Sequence, residues 1–141
     1  MLNIRHTGIV VKDIDKSIDF YTNLLGFEIT KDQVEKGEYI DIFLGIKDVE
    51  VRTVKMSLQN GDMLELLNFH SHPKYNEAAY ITRIGCSHFA LTVENLDSLF
   101  DKLKSEGIHL INPPTKSPDG KAKVVFCKDP DGTWIELVEE L

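Results

Sequence analysis

Apolar spacing along this chain switches between strand and helix periods, and it runs through the same series twice. Residues 2–11 end in β-branched Ile9-Val10-Val11 before polar Lys12-Asp13, so a strand is expected there. Ile14, Ile18, Tyr21 and Leu25 then recur at helical spacing, with Asp13 or Asp15 placed to cap and Gly26 where a C-terminal glycine belongs. Residues 27–30, 38–44, 51–59 and the run through Glu65 to Phe69 follow as strand candidates. Residues 70–83 read as a linker with one helical turn. The series then restarts with a strand over 86–93 and a helix carrying Leu96, Leu99, Phe100 and Leu103. Asp97 is its expected cap and Gly107 its end. A strand over 108–111, a break at Asn112-Pro113-Pro114 and a polar loop to Lys121 lead into two last strands, around Val124–Cys127 and Trp134–Val138.

The two series superpose. His6-Thr7-Gly8-Ile9-Val10-Val11 corresponds to His88-Phe89-Ala90-Leu91-Thr92-Val93, and Asp15, Ile18 and Asp19 to Asp97, Phe100 and Asp101, all at an offset of 82. Asn60-Gly61 and Asp131-Gly132 are hairpin signals, and each glycine precedes a carboxylate, Glu65 or Glu136, by four residues. One βαβββ module has been used twice, over about 2–69 and 84–141, giving an α+β class and one domain over residues 1–141.

Strand alternation sorts the polar positions onto one face. His6, Gly8 and Val10 lie opposite Thr7, Ile9 and Val11, and His88, Ala90 and Thr92 lie opposite Phe89, Leu91 and Val93. Glu65 and Glu136 likewise alternate with Leu64/Leu66 and Ile135/Leu137. A carboxylate in mid-strand is costly to bury unless it is paired or bound to a metal. The apolar rows suit the helices, so His6, Glu65, His88 and Glu136 are expected to face one cavity as metal ligands. Two imidazoles and two carboxylates suit Zn, Ni, Co, Fe or Mn better than a thiolate-loving metal.

Composition narrows the rest. The chain is 42% apolar and 28% charged, ordinary for a folded protein, and its net charge of −7 argues against nucleic acid and anionic membrane as partners. No apolar run approaches a membrane span, and the N-terminus has no leader pattern, so the expectation is a cytoplasmic protein. Cys86 and Cys127 lack CxxC spacing and read as reduced thiols. His70 and His72 match nothing in the repeat and read as surface loop. Tyr21 reads as core, while Trp134, Phe43, Tyr39 and Met56 are assigned either to the core or to the cavity lining. Arg52, Lys55, Arg83, Lys116, Lys121 and Lys123 are the cations open to an anionic substrate.

His6-Thr7-Gly8-Ile9, Ser17-Ile18-Asp19-Phe20-Tyr21 with Leu24-Leu25-Gly26-Phe27, the spaced His88, and Asp129-Pro130-Asp131-Gly132 with Ile135-Glu136-Leu137 together resemble the glyoxalase/bleomycin-resistance/extradiol-dioxygenase superfamily, the vicinal oxygen chelate proteins. The resemblance implies a cupped, mainly antiparallel eight-stranded sheet with helices on its outer face. The ligand pattern His6, Glu65, His88, Glu136 is most similar to bacterial-type glyoxalase I (lactoylglutathione lyase). That implies Ni, Co or Zn first, with Fe or Mn as alternatives, and proton transfer through a metal-stabilised enediolate. Glu136 would be the base, with Glu65 returning the proton, and the loop over 112–121 a lid. It further implies a small-molecule substrate (a thiol adduct, an acyl thioester or a vicinal-oxygen compound) and a homodimer. Alternatives are a methylmalonyl-CoA-epimerase-like isomerase, an Fe(II) extradiol-type dioxygenase, and a small-molecule-sequestering binding protein. One departure bears on the substrate. Where glyoxalase I places an Arg and an Asn for glutathione, this chain has Val10 and Phe69, and Asn68 is one residue away, on the other strand face.

Overall fold

A computed structural model describes residues 1–75 and 80–141. The chain divides into two compact units, Met1–Tyr75 and Asn76–Leu141. The first contains β1 (Thr7–Val10), α1 (Ile14–Asp19) running on through a wider π turn at Phe20–Leu24, β2 (Glu28–Lys36), α2 (Glu38–Leu44), β3 (Glu50–Ser57) and β4 (Met63–Phe69). The second contains β5 (His88–Thr92), α3 (Leu96–Ser105), β6 (Thr115–Lys116), β7 (Ala122–Lys128) and β8 (Trp134–Glu140). The eight strands form two four-stranded mixed sheets, ordered β1-β4-β3-β2 and β5-β8-β7-β6. In each, the first strand runs parallel to the last and the remaining pairs are antiparallel. Residues 76–79 of the expected linker lie outside the described residues. No described helix is long and apolar enough to cross a membrane.

The repeat extends to the hydrogen bonds of its turns. In the loop between β3 and β4, Leu58 N donates to Asp62 O at 2.9 Å and Gly61 N to Leu58 O at 2.9 Å. Between β7 and β8, Asp129 N donates to Thr133 O and Gly132 N to Asp129 O, both at 3.0 Å. The fourth residue of each five-residue loop has a positive φ, 90° at Gly61 and 89° at Gly132, where a side chain would be strained. In the second loop the Asp129 carboxylate also accepts from Asp131 N and Thr133 N, at 2.9 and 2.8 Å. These turns fix the register that sets each carboxylate's face.

Three expectations are corrected. The segment Glu38–Leu44 is a helix, because Ile40 and Leu44, four residues apart, then share its packed side. Ile40 is buried with Val49 and Val51, and Leu44, Ile46, Leu67 and Phe69 pack around them. Gly45 closes the helix in the left-handed region, and the Asp41 carboxylate takes the amides of Asp48 and Val49, both at 2.9 Å. Residues 108–111 form only a bridge, Leu110 to Cys127, since Pro113 and Pro114 bring no amide donors to extend it. Asn95 rather than Asp97 caps α3, accepting from Ser98 N at 3.0 Å, while Glu139 of β8 accepts from Leu96 N at 2.9 Å. In the first unit Asp13 caps α1 as expected, accepting from Lys16 N.

The two faces of the first sheet differ in kind. Toward α1 lie Ile9, Leu64, Leu66, Val54 and Met56, all buried. Asn68 shares that face and donates to Val11 O at 3.0 Å and Lys12 O at 3.1 Å, tying the end of β1 to the start of the helix. Arg52 reaches Asp32 through two hydrogen bonds of 2.9 and 2.8 Å, and Asp15 through one of 3.0 Å. On the other face lie Glu65, Leu67 and Phe69, with α2 packed over the last two.

Two stability measurements follow. Asn68→Ala removes the hydrogen bonds to the carbonyls of Val11 and Lys12 and should lower unfolding free energy by about 2 kcal/mol in urea titrations. The Arg52 hydrogen bonds hold the Asp32 carboxyl below its usual range. That contribution is therefore present above the unfolded value of about 3.9 and is lost as pH falls through the lower folded value. Asp32 is more than a third exposed, so solvent screening limits the effect. Asp32→Asn should cost about 0.5–1 kcal/mol at pH 7, and the gap should narrow as pH falls below the unfolded value.

Candidate metal centre

Parallel pairing of the first and last strand brings a histidine to a glutamate far away in sequence. In the first unit Gly8 stands opposite Glu65 across β1 and β4, and His6 precedes Gly8 by two. His6 Nε2 lies 2.9 Å from Glu65 Oε2. In the second, Ala90 stands opposite Glu136 across β5 and β8, and His88 precedes Ala90 by two. His88 Nε2 lies 3.3 Å from Glu136 Oε2. All four side chains are partly accessible; Glu65 is the least, at 13%, and Glu136 stands at 28%. The structure thus brings the four candidates together two by two, one pair inside each unit. Among the described residues no group of three or more His, Cys, Asp or Glu is gathered to hold a metal ion.

The donor geometry of each pair fits a divalent cation. An imidazole lone pair facing a carboxylate oxygen at these distances is repulsive unless a proton or a cation sits between them. With metal–ligand bonds of about 2.1 Å, neighbouring donors stand about 3.0 Å apart on an octahedron and about 3.4 Å on a tetrahedron. The two observed separations lie at or close to that span. Ser87 Oγ, 2.7 Å from His88 Nδ1, holds the second ring from behind, as an outer hydrogen bond orients a ligating imidazole. Phe126, directly across β7 from Glu136, meets the His88 ring edge-on at 5.1 Å between centroids. Sequence reasoning missed Ser87 and Phe126. Ser87 could have been found as the neighbour of a candidate ligand, whereas Phe126 carries no such signal, because the loop length that sets its register is not read from the turn residues.

The other candidates sort by contact. Arg52 is committed to Asp32 and Asp15, and Lys123 to Asp97 at 2.6 Å and Glu139 at 3.2 Å. Met56 and Tyr21 are fully buried core, and Trp134 is buried with the Lys128 ammonium 4.3 Å from its ring centre. Tyr39 and Phe43 are exposed on α2, their rings stacked at 6.0 Å. His70 and His72 lie in the bends after β4, beside Glu50 and Ser71. Val10 is exposed and Phe69 is packed against α2. The segment expected as a lid is partly a strand and a tight turn. β6 pairs with β7, Ser117 N donates to Ala122 O at 2.8 Å, and Asp119 accepts from Ser117 Oγ and Lys121 N.

An α+β chain built from a duplicated βαβββ unit, each copy presenting one His–Glu pair, defines a class. A family profile described as "Glyoxalase/Bleomycin resistance protein/Dioxygenase superfamily" matches residues 3–137, and the chain belongs to that superfamily. It is 33% identical to a lactoylglutathione lyase of Schizosaccharomyces pombe over 97% of its own length, but spans only 47% of that relative. It is 31% identical to a probable lactoylglutathione lyase of Synechocystis, covering 95% of this chain and 92% of the relative. A solved glyoxalase family protein from Bacillus cereus shares the fold at a TM-score of 0.91 and 23% identity, with 100% and 95% of the two chains covered.

The two thiols should separate in reactivity. Burial, with Asp129 nearby, pushes the Cys127 thiol up to about 12, whereas Cys86 is exposed. Native protein at pH 8 should release one equivalent quickly with a disulfide reagent, and the second only on unfolding. Two fast equivalents would contradict the placement of Cys127.

Proposed function

We propose that this protein is a divalent-metal-dependent lyase or isomerase of the glyoxalase type, acting like a lactoylglutathione lyase on a small thiol adduct or related vicinal-oxygen compound. The observation that carries this reading is the His–Glu pair built at the same strand register in both units. The names of relatives at about 30% identity support it. His6, Glu65, His88 and Glu136 would hold the ion, with Ni, Co or Zn suited to the donor set. Bound there, the cation supplies Lewis-acid stabilisation of negative charge developing on substrate oxygens.

The remaining chemistry belongs to the chain. Glu136 takes the proton from the carbon beside the substrate carbonyl, and Glu65 returns one to the neighbouring carbon. Glu136 suits the base role because it is more accessible than Glu65 and stands further from its histidine. Ser87 and Phe126 keep the His88 ring fixed while Glu136 moves. We place the chain in a homodimer in the cytoplasm. Leu2 and Ile4 of the first unit, 100% and 93% exposed, together with Ile42 and Phe43, support the dimer as apolar surface that a partner would cover.

Glu136→Gln should lower kcat of metal-loaded enzyme at least about 100-fold on the methylglyoxal–glutathione hemithioacetal while substrate affinity changes little. Solvent deuterium should enter the wild-type product. Full activity in Glu136→Gln removes the base assignment. Oxygen consumption during turnover moves the protein to dioxygenase chemistry, and metal-independent ligand binding without turnover moves it to sequestration.

A further inference from the structure

The cross-strand row through Glu65 carries two unused cations. Gly8 on β1, Glu65 on β4, Lys55 on β3 and Lys31 on β2 are successive direct partners, so their side-chain positions share one face of the sheet. This is the face of His6–Glu65 and of Leu67 and Phe69, opposite the one covered by α1. A carboxylate directly across from a lysine is its natural counter-ion, yet Glu65 turns to His6 instead. Among the described residues no carboxylate pairs with the ammonium of Lys55 or Lys31. Glu28 and Glu35 share the face by register, but Glu35 is hydrogen-bonded to Thr53 Oγ1 at 3.0 Å. Like charges directly opposite one another are destabilising. An anion bridging them reverses the sign.

The second unit shows that the row is not a by-product of duplication. The position across from Glu136 is Phe126, an aromatic ring turned to its histidine. The same place in the same module is therefore cationic in one copy and aromatic in the other. The neighbouring surface of the cationic copy is apolar, formed by Leu67 and Phe69 under α2.

We propose that Lys55, with Lys31 beside it, is the anchoring subsite for an anionic group of the substrate, a carboxylate or a phosphate, next to the reacting carbons. This rests on reading His6–Glu65 as part of the active site. Among the described residues, Lys55 is the one cation directly across a strand pair from a candidate ligand, and Lys31 is its own cross-strand neighbour, placed to give a second prong. Lys55 sets specificity and does not transfer the proton.

The test is calorimetric binding to the full chain, independent of turnover. The probes are S-methylglutathione, its diethyl ester and inorganic phosphate, and the proteins are wild type, Lys55→Met, Lys55→Arg and Lys31→Met. The expected result is that Lys55→Met weakens one of the anionic probes about tenfold. Lys55→Arg should keep that probe within about threefold, added salt should weaken it, and the ester should be unaffected. Loss for S-methylglutathione identifies a carboxylate, and loss for phosphate a phosphoryl group. Equal affinity of both anions for wild type and Lys55→Met, or no binding of either to wild type, overturns the proposal. If Lys55 governs anion affinity in a protein without isomerase turnover, the reading of the activity fails and the subsite stands. If turnover is present and Lys55→Met binds both anions as wild type does, the subsite fails alone.

Discussion

Everything at the candidate centre depends on one constraint, the parallel pairing of the opening strand of each unit with its closing strand. Without it His6 and Glu65 would be separated by 59 residues of chain, and His88 and Glu136 by 48. With it, Gly8 is fixed opposite Glu65 and Ala90 opposite Glu136, and the histidine two residues earlier comes within hydrogen-bond distance of the carboxylate. A slip of one residue would turn each glutamate into the apolar layer beside the helices. The buried rows of Leu64, Leu66, Ile135 and Leu137 oppose that slip, since each would have to leave the core. Core packing and site geometry are thus the same constraint seen from opposite faces of a sheet.

The two copies share this frame and differ in what surrounds it. In the first, α2 covers one end of the site face, and a lysine stands across from the carboxylate. In the second, a phenylalanine takes the lysine's place and a serine braces the histidine. Duplication supplies two equivalent pairs of donors; divergence around them makes the halves chemically unequal.

Much of this was legible in the chain. Alternation placed Glu65 and Glu136 on the sheet faces opposite α1 and α3, though α2 packs on the Glu65 face, and the glycine-to-glutamate spacing exposed the repeat. What was not legible has physical reasons. Residues Glu38–Leu44 carry an apolar pattern that a strand or a helix can use, and only the packing of Ile40 against Val49 and Val51 decides for the helix. The strand expected at 108–111 fails through prolines that follow it. The pairing of Lys55 with Glu65, and of Phe126 with Glu136, depends on hairpin registers set by five-residue loops, whose length two-residue turn signals do not reveal. Arg52 and Lys123 looked available for a substrate because their carboxylate partners are distant in sequence.

The central proposal is that His6, Glu65, His88 and Glu136 are metal ligands. Equilibrium dialysis of the apoprotein against Ni or Zn, followed by elemental analysis, tests it on wild type, His6→Ala and His88→Ala. Wild type is expected to hold the ion tightly, and each variant to lose affinity for it sharply. No metal bound by wild type, or unchanged metal loading in His6→Ala or His88→Ala, would contradict it.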